Sequence, residues 1–218
     1  MAGDSLLAIF QFSFVVSFGA VVSPGPVSAA IVTEAPRHGW RVGPLVASGH
    51  TFLELIIVIF LSLGLSASMA SPTVRTIIAV CGGAVLIWIG ASYVIGSWKA
   101  TIQLPRADGA VPSRSTFSLI LLGMLTTLSN PFWYTWWVTV AAGYLAQAQA
   151  ISPNAIAVFY LGHISADFVW DTALAATTSA GRRWLTDRRY RILILLTGGF
   201  MLYLGFAFLN GAIQGLTI

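Results

Sequence analysis

Three carboxylates, Glu54, Asp167 and Asp171, fall inside long apolar stretches of the chain. Charged groups are rare inside membranes and generally mark function there. Asp167 and Asp171 are four residues apart and share a helix face, and His163 precedes Asp167 by four on that same face. His50 and Glu54 repeat the arrangement earlier in the chain. Packing alone accounts for the histidines if each bonds the carboxylate one turn away. The carboxylates are harder to satisfy. No Lys or Arg lies deep in any apolar stretch, so at least some are expected to be protonated, hydrated or paired with a transported cation. That is the chemistry of a proton relay, and equally of a site for an amino group. Glu34 is a weaker candidate, since a surface pair with Arg37 near the end of its stretch would explain it. The alternative cargo is a divalent transition metal, for which His50, Glu54, His163 and Asp167 offer suitable donors. Those four could meet only if their two helices pack together.

The elements that must position these residues are marked by two breaks. Pro24-Gly25-Pro26 interrupts the first apolar stretch, and Asn130-Pro131 interrupts the fourth. Each proline removes a backbone donor and clashes with the preceding turn. Lipid does not tolerate unpaired backbone groups, so broken backbone should face protein or a polar cavity. Paired interruptions in corresponding segments point to a transporter's binding site. The second break runs into Phe132, Trp133, Tyr134, Trp136 and Trp137, and Trp170 lies between the two aspartates. An interfacial belt explains some of these rings. Trp133 and Tyr134 stand close enough to the break to bound a substrate cavity or offer a cation a π face.

The chain is 57% hydrophobic and 8% charged, where soluble domains are about a quarter charged, so we read an all-α integral membrane protein. A hydrocarbon core of about 30 Å needs roughly 20 apolar residues per helix. Six spans qualify: Leu6–Thr33, Val42–Ser66, Thr73–Trp98, Thr116–Leu145, Pro153–Ser179 and Ile192–Ile213. Ten of the 11 basic residues fall in alternate connections, and only Arg75 falls on the other side. By the positive-inside rule both termini are extracytoplasmic. The net charge of +4 is then a matter of topology, and no nucleic-acid partner is expected. The N-terminal stretch lacks a basic flank and reads as a retained helix. The chain has no His-Glu-x-x-His, no Gly-x-Ser-x-Gly, no cofactor fingerprint and a single cysteine, Cys81, so neither an enzyme nor a cofactor is expected.

The chain also resembles itself. Gly49-His50 with Glu54 matches Gly162-His163 with Asp167, and the run from Gly82-Gly83 to Gly90-Ala91 matches that from Gly198-Gly199 to Ala207. With breaks in the first and fourth spans, this predicts two inverted three-helix repeats, residues 1–98 and 116–218, joined by a cytoplasmic linker at 99–115. The glycine faces would pack the halves of one subunit or join subunits into a homo-oligomer.

Pro24-Gly25-Pro26, Gly39, Gly43, Gly49, Gly64-Leu65, Asn130-Pro131 and Asp167 with Trp170 together resemble the lysine exporter and homoserine/threonine efflux family. The resemblance implies a secondary-active, proton-coupled exporter of amino acids or related small metabolites in the inner membrane, working by alternating access. It places the two breaks, at Pro24, Gly25, Pro26 and at Asn130, Pro131, and the acidic residues near the substrate path; with Trp133, Tyr134 and Trp170 we expect the breaks to form that path, and Glu54, Asp167 and Asp171 to couple a proton or cation. The expected partners are therefore a small-molecule substrate, a proton and membrane lipid.

Overall fold

The computed structural model describes residues 6–23, 25–65, 71–99, 101 and 114–214, and every regular element among them is helical. In chain order these are α1 (Leu6–Val21), α2 (Pro26–His38), α3 (Val42–Ser62), α4 (Pro72–Trp98), α5 (Thr116–Leu128), α6 (Pro131–Trp136), a π-helical turn (Trp137–Ala141), α7 (Ala142–Ile151), α8 (Pro153–Ala180), a short 3-10 turn (Gly181–Trp184) and α9 (Asp187–Ile213). Pro24, Arg106 and most of the expected 99–115 linker lie outside the described residues.

Proline opens four of these helices, where its missing N–H costs nothing. Three of the four have a side-chain cap. Ser71 accepts from Val74 N, Ser152 from Ala155 N, and Asn130 Oδ1 from both Phe132 N and Trp133 N, at 3.1 and 3.4 Å. The fourth, α2, begins after Gly25 and has no side-chain cap.

The spans differ from the sequence reading at their ends and in the fourth. The first is broken as expected, with α1 and α2 bent by 77°, but it runs on to His38 because Pro36 lies too near its end to stop it. Gly39, at φ +82°, turns the chain into α3 with a backbone that side-chain-bearing residues rarely adopt. The fourth runs to Ile151, past the expected Leu145, and includes the π turn, which hydrophobic periodicity cannot reveal. The sixth starts at Asp187, where Thr186 caps it by accepting from Arg189 N. Among the described residues, α3, α4 and α9 are long and apolar enough to cross a bilayer, and α1 with α2 qualifies together.

Glycines set the closest approaches. A Cβ on Gly49 in α3 would overlap the Ile120 carbonyl of α5, and one on Gly123 in α5 would overlap the Val46 carbonyl of α3. On the other side, a Cβ on Gly162 in α8 would lie 2.5 Å from Phe10 O in α1. Backbones this close leave no freedom to slide, which fixes the register of the residues that follow each glycine. Helices α4 and α9 meet through Gly83 against Gly205 and Gly90 against Gly198, where an added Cβ would come within 2.8 to 2.9 Å of the opposing carbonyl. The seam is therefore one residue out from the sequence match, which had aligned Gly82 with Gly198. Gly82 instead faces Ser129, and Gly199 meets nothing within 4 Å.

Candidate functional site

Between the two breaks lies a cavity of about 480 Å³, lined by Gly25, Pro26, Val27 and Ser28 at the first break and Asn130 at the second. Phe132, Trp133 and Trp136 form its aromatic side, and His50, Glu54, His163, Asp167 and Asp171 its acidic floor. A Cβ on Gly25 would lie 3.6 Å from Asn130 Nδ2, so the breaks meet.

Glu54 is the hub and is wholly buried. Its Oε1 lies 2.9 Å from His50 Nε2 and 2.8 Å from His163 Nε2, and accepts from Trp137 Nε1 at 3.1 Å and Trp133 Nε1 at 3.2 Å. Four donor groups on one oxygen exceed what its two lone pairs accept ideally. Glu54 Oε2, by contrast, has no hydrogen-bond partner among the described residues, nor have Asp167 Oδ2 and Asp171 Oδ1. Burying such groups unpartnered is costly.

Each histidine is held from behind by a hydroxyl. His50 Nδ1 lies 2.8 Å from Thr127 Oγ1 in α5, and His163 Nδ1 bonds Ser17 Oγ in α1. The two settings match: Ser17 follows Phe10, which Gly162 packs against, by seven residues, and Thr127 follows Ile120, which Gly49 packs against, by the same seven.

The histidines do not bond in the way expected from spacing. His50 does bond the carboxylate one turn on, but His163 bonds Glu54 of the other helix and stays 3.6 Å from its own Asp167. The shorter aspartate cannot reach as far as glutamate. Tyr134 is buried in an apolar cluster with Trp137 and Phe159 and does not line the cavity. Trp170 also lies off it, edge-on to Phe18, with its N–H unbonded among the described residues. Pro131 opens α6, whose amides Asn130 already occupies. Thr127 and Ser17 escaped the sequence reading because apolar helices carry many hydroxyls, and only the glycine contacts single these two out. Trp137 was visible only as one ring of a cluster.

Glu34 is not a surface pair. It is buried at 1% exposure, with Arg114 Nε at 3.2 Å, His38 Nε2 at 3.2 Å and Arg37 at 4.0 Å, far from the cavity lining.

Three of the four potential metal donors, His50, Glu54 and Asp167, bring ligand atoms within 4.8 Å of one another, and His163 Nε2 lies 2.8 Å from Glu54 Oε1. They do not fit a metal in this conformation. Both nitrogens of each imidazole are already engaged, and two indole N–H groups point their positive hydrogens at the oxygen a cation would share. The lining holds neither Lys nor Arg. What the cavity does offer is a lining that combines Glu54, Asp167 and Asp171, each with a buried oxygen unbonded among the described residues, with an uncapped helix start. The amides of Val27 and Ser28 precede the first intrahelical bond of α2, which runs from Ala29 N to Gly25 O at 2.9 Å.

Comparison with known proteins places these features in context. Residues 18–211 match the family described as LysE type translocator. The sequence is 26% identical over 201 residues to the "Putative amino acid efflux protein YcgF" of Bacillus subtilis (strain 168), covering 92% of this chain and 94% of that one. It is 26% identical over 198 residues to the "Arginine exporter protein ArgO" of Serratia proteamaculans (strain 568), covering 90% and 93%. No solved structure matches.

Proposed function

This chain belongs to the LysE type translocator family, and from that premise we propose that it is a secondary-active exporter of amino acids that binds its substrate between the two helix breaks. The observation that carries the reading is that one cavity is lined both by carboxylate residues holding buried, unbonded oxygens and by an uncapped helix N-terminus. The substrate carboxylate sits at the Val27 and Ser28 amides, where the helix dipole favours an anion. Its amine sits among Glu54 Oε2, Asp167 Oδ2 and Asp171 Oδ1, and Trp133 and Trp136 wall the side chain. Only the first break serves the substrate in this way, since the second is capped by its own Asn130. The names of the two relatives, an amino acid efflux protein and an arginine exporter, support the substrate class.

Export is driven by a proton that the same carboxylates take up and release. Each proton gains about 2.3 kcal/mol per 100 mV of membrane potential, enough for uphill export of a small solute. Access alternates between two inverted halves, residues 1–98 and 116–218. Supporting this are the matched settings of His50 and His163 and the reciprocal seam of α4 and α9. The spans broken at α1/α2 and α5/α6 are then the first and fourth of six, and both termini lie outside the cytoplasm.

The test is efflux from cells preloaded with labelled amino acids, comparing the intact protein with Asp167→Asn at matched membrane insertion. We expect efflux that an uncoupler stops and that the variant lacks. Undiminished export by the variant removes Asp167 from the mechanism.

A further inference from the structure

The hydroxyl behind His50 does more than hold the ring in place. Thr127 Oγ1 lies 2.8 Å from the Gly123 carbonyl, four residues back in α5, and gives it its hydrogen. A hydroxyl has one hydrogen to give. With its hydrogen on that carbonyl, Thr127 accepts from His50 Nδ1, also 2.8 Å away, and Nδ1 carries a hydrogen. The other ring nitrogen, Nε2, faces Glu54 Oε1 at 2.9 Å. A bare lone pair there would confront a bare carboxylate oxygen, so one proton has to occupy that line. It sits on Nε2, giving an imidazolium and a carboxylate, or on Oε1, giving two neutral groups.

His163 is under no such constraint. Among the described residues Ser17 bonds no other acceptor, so it can donate to His163 Nδ1. That leaves an Nε2–H to donate to Glu54 Oε1 at 2.8 Å from a neutral ring. The two histidines look equivalent in sequence, yet only one is forced to share a proton with the central glutamate.

We propose that Thr127 is a positioning residue that locks His50 in its Nδ1–H form, so that one proton is shared along the line between His50 Nε2 and Glu54 Oε1. Every element around this line contributes to its setting. Helix α3 supplies the pair itself. Helix α8 supplies His163, Asp167, whose Oδ1 is 4.0 Å from His50 Nε2, and Asp171. Trp133 of α6 and Trp137 of the π turn donate to the glutamate oxygen. In a transfer step the proton leaves Nε2, whose electron pair stays on the ring, and binds Oε1, so charge is annihilated within the pair. The net charge of the floor is unchanged by this step, but the ion-pair dipole beside Asp167 and Asp171 is lost, which changes how strongly the cavity holds a substrate amine. The role in export rests on the function proposed above, but the lock itself does not.

Nitrogen-15 NMR of the full-length protein, labelled at histidine and held in lipid nanodiscs, separates the two. There are three histidines, and the signal of His50 is identified by its loss in His50→Gln. Bare and hydrogen-bearing ring nitrogens have well-separated shifts. We expect His50 Nδ1 to carry hydrogen in the wild type and in Thr127→Ser, and to lose it, wholly or in part, in Thr127→Val. Efflux should fall about tenfold or more in Thr127→Val and be restored to within about twofold of wild type by Thr127→Ser, the size expected when one buried hydrogen bond is removed and remade. A bare Nδ1 on His50 in the wild type overturns the proposal without recourse to any variant. So does a Thr127→Val protein whose histidine spectrum and efflux are both unchanged. The predicted spectra without amino acid efflux from any form would uphold the lock and refute the exporter.

Discussion

Adding one methyl group to the contact between α3 and α5, by Gly123→Ala, tests whether backbone packing sets the geometry of the site. The new Cβ would overlap the Val46 carbonyl oxygen and lie 2.9 Å from its carbon, where ordinary contact begins at 3.4 Å. The helices must then separate by at least about 0.5 Å, and by more if the oxygen is to be cleared. Thr127 sits one turn further along the same helix. Its 2.8 Å bond to His50 would stretch past about 3.3 Å, beyond the normal range for such bonds. Overpacking costs about 1–3 kcal/mol and the weakened bond about 1 more. Against this, alanine gains roughly 0.5–1 kcal/mol over glycine in a helix. The expected outcome is a net loss of about 1–3 kcal/mol in thermal unfolding and a fall in efflux of about tenfold or more. Gly143→Ala in α7 is the control, because nothing lies within 4 Å of its Cβ; it keeps transport and gains slightly in stability. If Gly123→Ala melts and transports like Gly143→Ala, the idea that this contact positions His50 is wrong.

Two further substitutions probe the remaining architecture. Asn130→Ala strips the cap from α6 and leaves the Phe132 and Trp133 amides open, which should cost about 0.5–2 kcal/mol and lower the unfolding temperature; Asn130→Ser should recover most of it, and a melting curve identical to wild type would mean that the cap is idle. Glu34→Gln leaves Arg114, Arg37 and His38 around a neutral amide. Because the Arg114 side chain is 38% exposed, the loss should be about 1–3 kcal/mol, below that of a fully buried pair. Thermal unfolding reads it directly, with Arg114→Gln expected to cost less, and the opposite order would contradict the central place of Glu34 in that cluster.

Much of this was legible because proline, glycine and charge are local signals. Pro26 and Pro131 announced helix starts inside apolar stretches, and the breaks appear at those residues. Glu54 and Asp167 could be singled out because a carboxylate in an apolar run has so few bland explanations. What the sequence could not convey was distance across the fold. That His163 bonds Glu54 and not Asp167 depends on how far α8 stands from α3 and on one methylene of side-chain length. Glu34 looked like a surface pair because Arg37 is near it in sequence, while its shortest arginine contact, Arg114, is 80 positions away. The glycine seam was read one residue out because, in a run of small and apolar residues, a shift of one leaves the pattern almost unchanged. The π turn has no compositional mark at all.

The glycine seam between α4 and α9 also governs what kind of motion is available. With carbonyls packed directly onto the Cα atoms of Gly83, Gly90, Gly198 and Gly205, neither helix can rotate or slip against the other without driving backbone into backbone. The two travel as one rigid piece, like the paired bars of a lever. Among the contacts of that piece with the working region are Gly82 against Ser129 beside the second break, Phe208 against Phe132 and Leu204 on the cavity wall. Under the alternating access proposed above, a tilt of the lever would be felt at the second break and at the wall together, so that widening the chamber and bending its broken helix would be a single mechanical act.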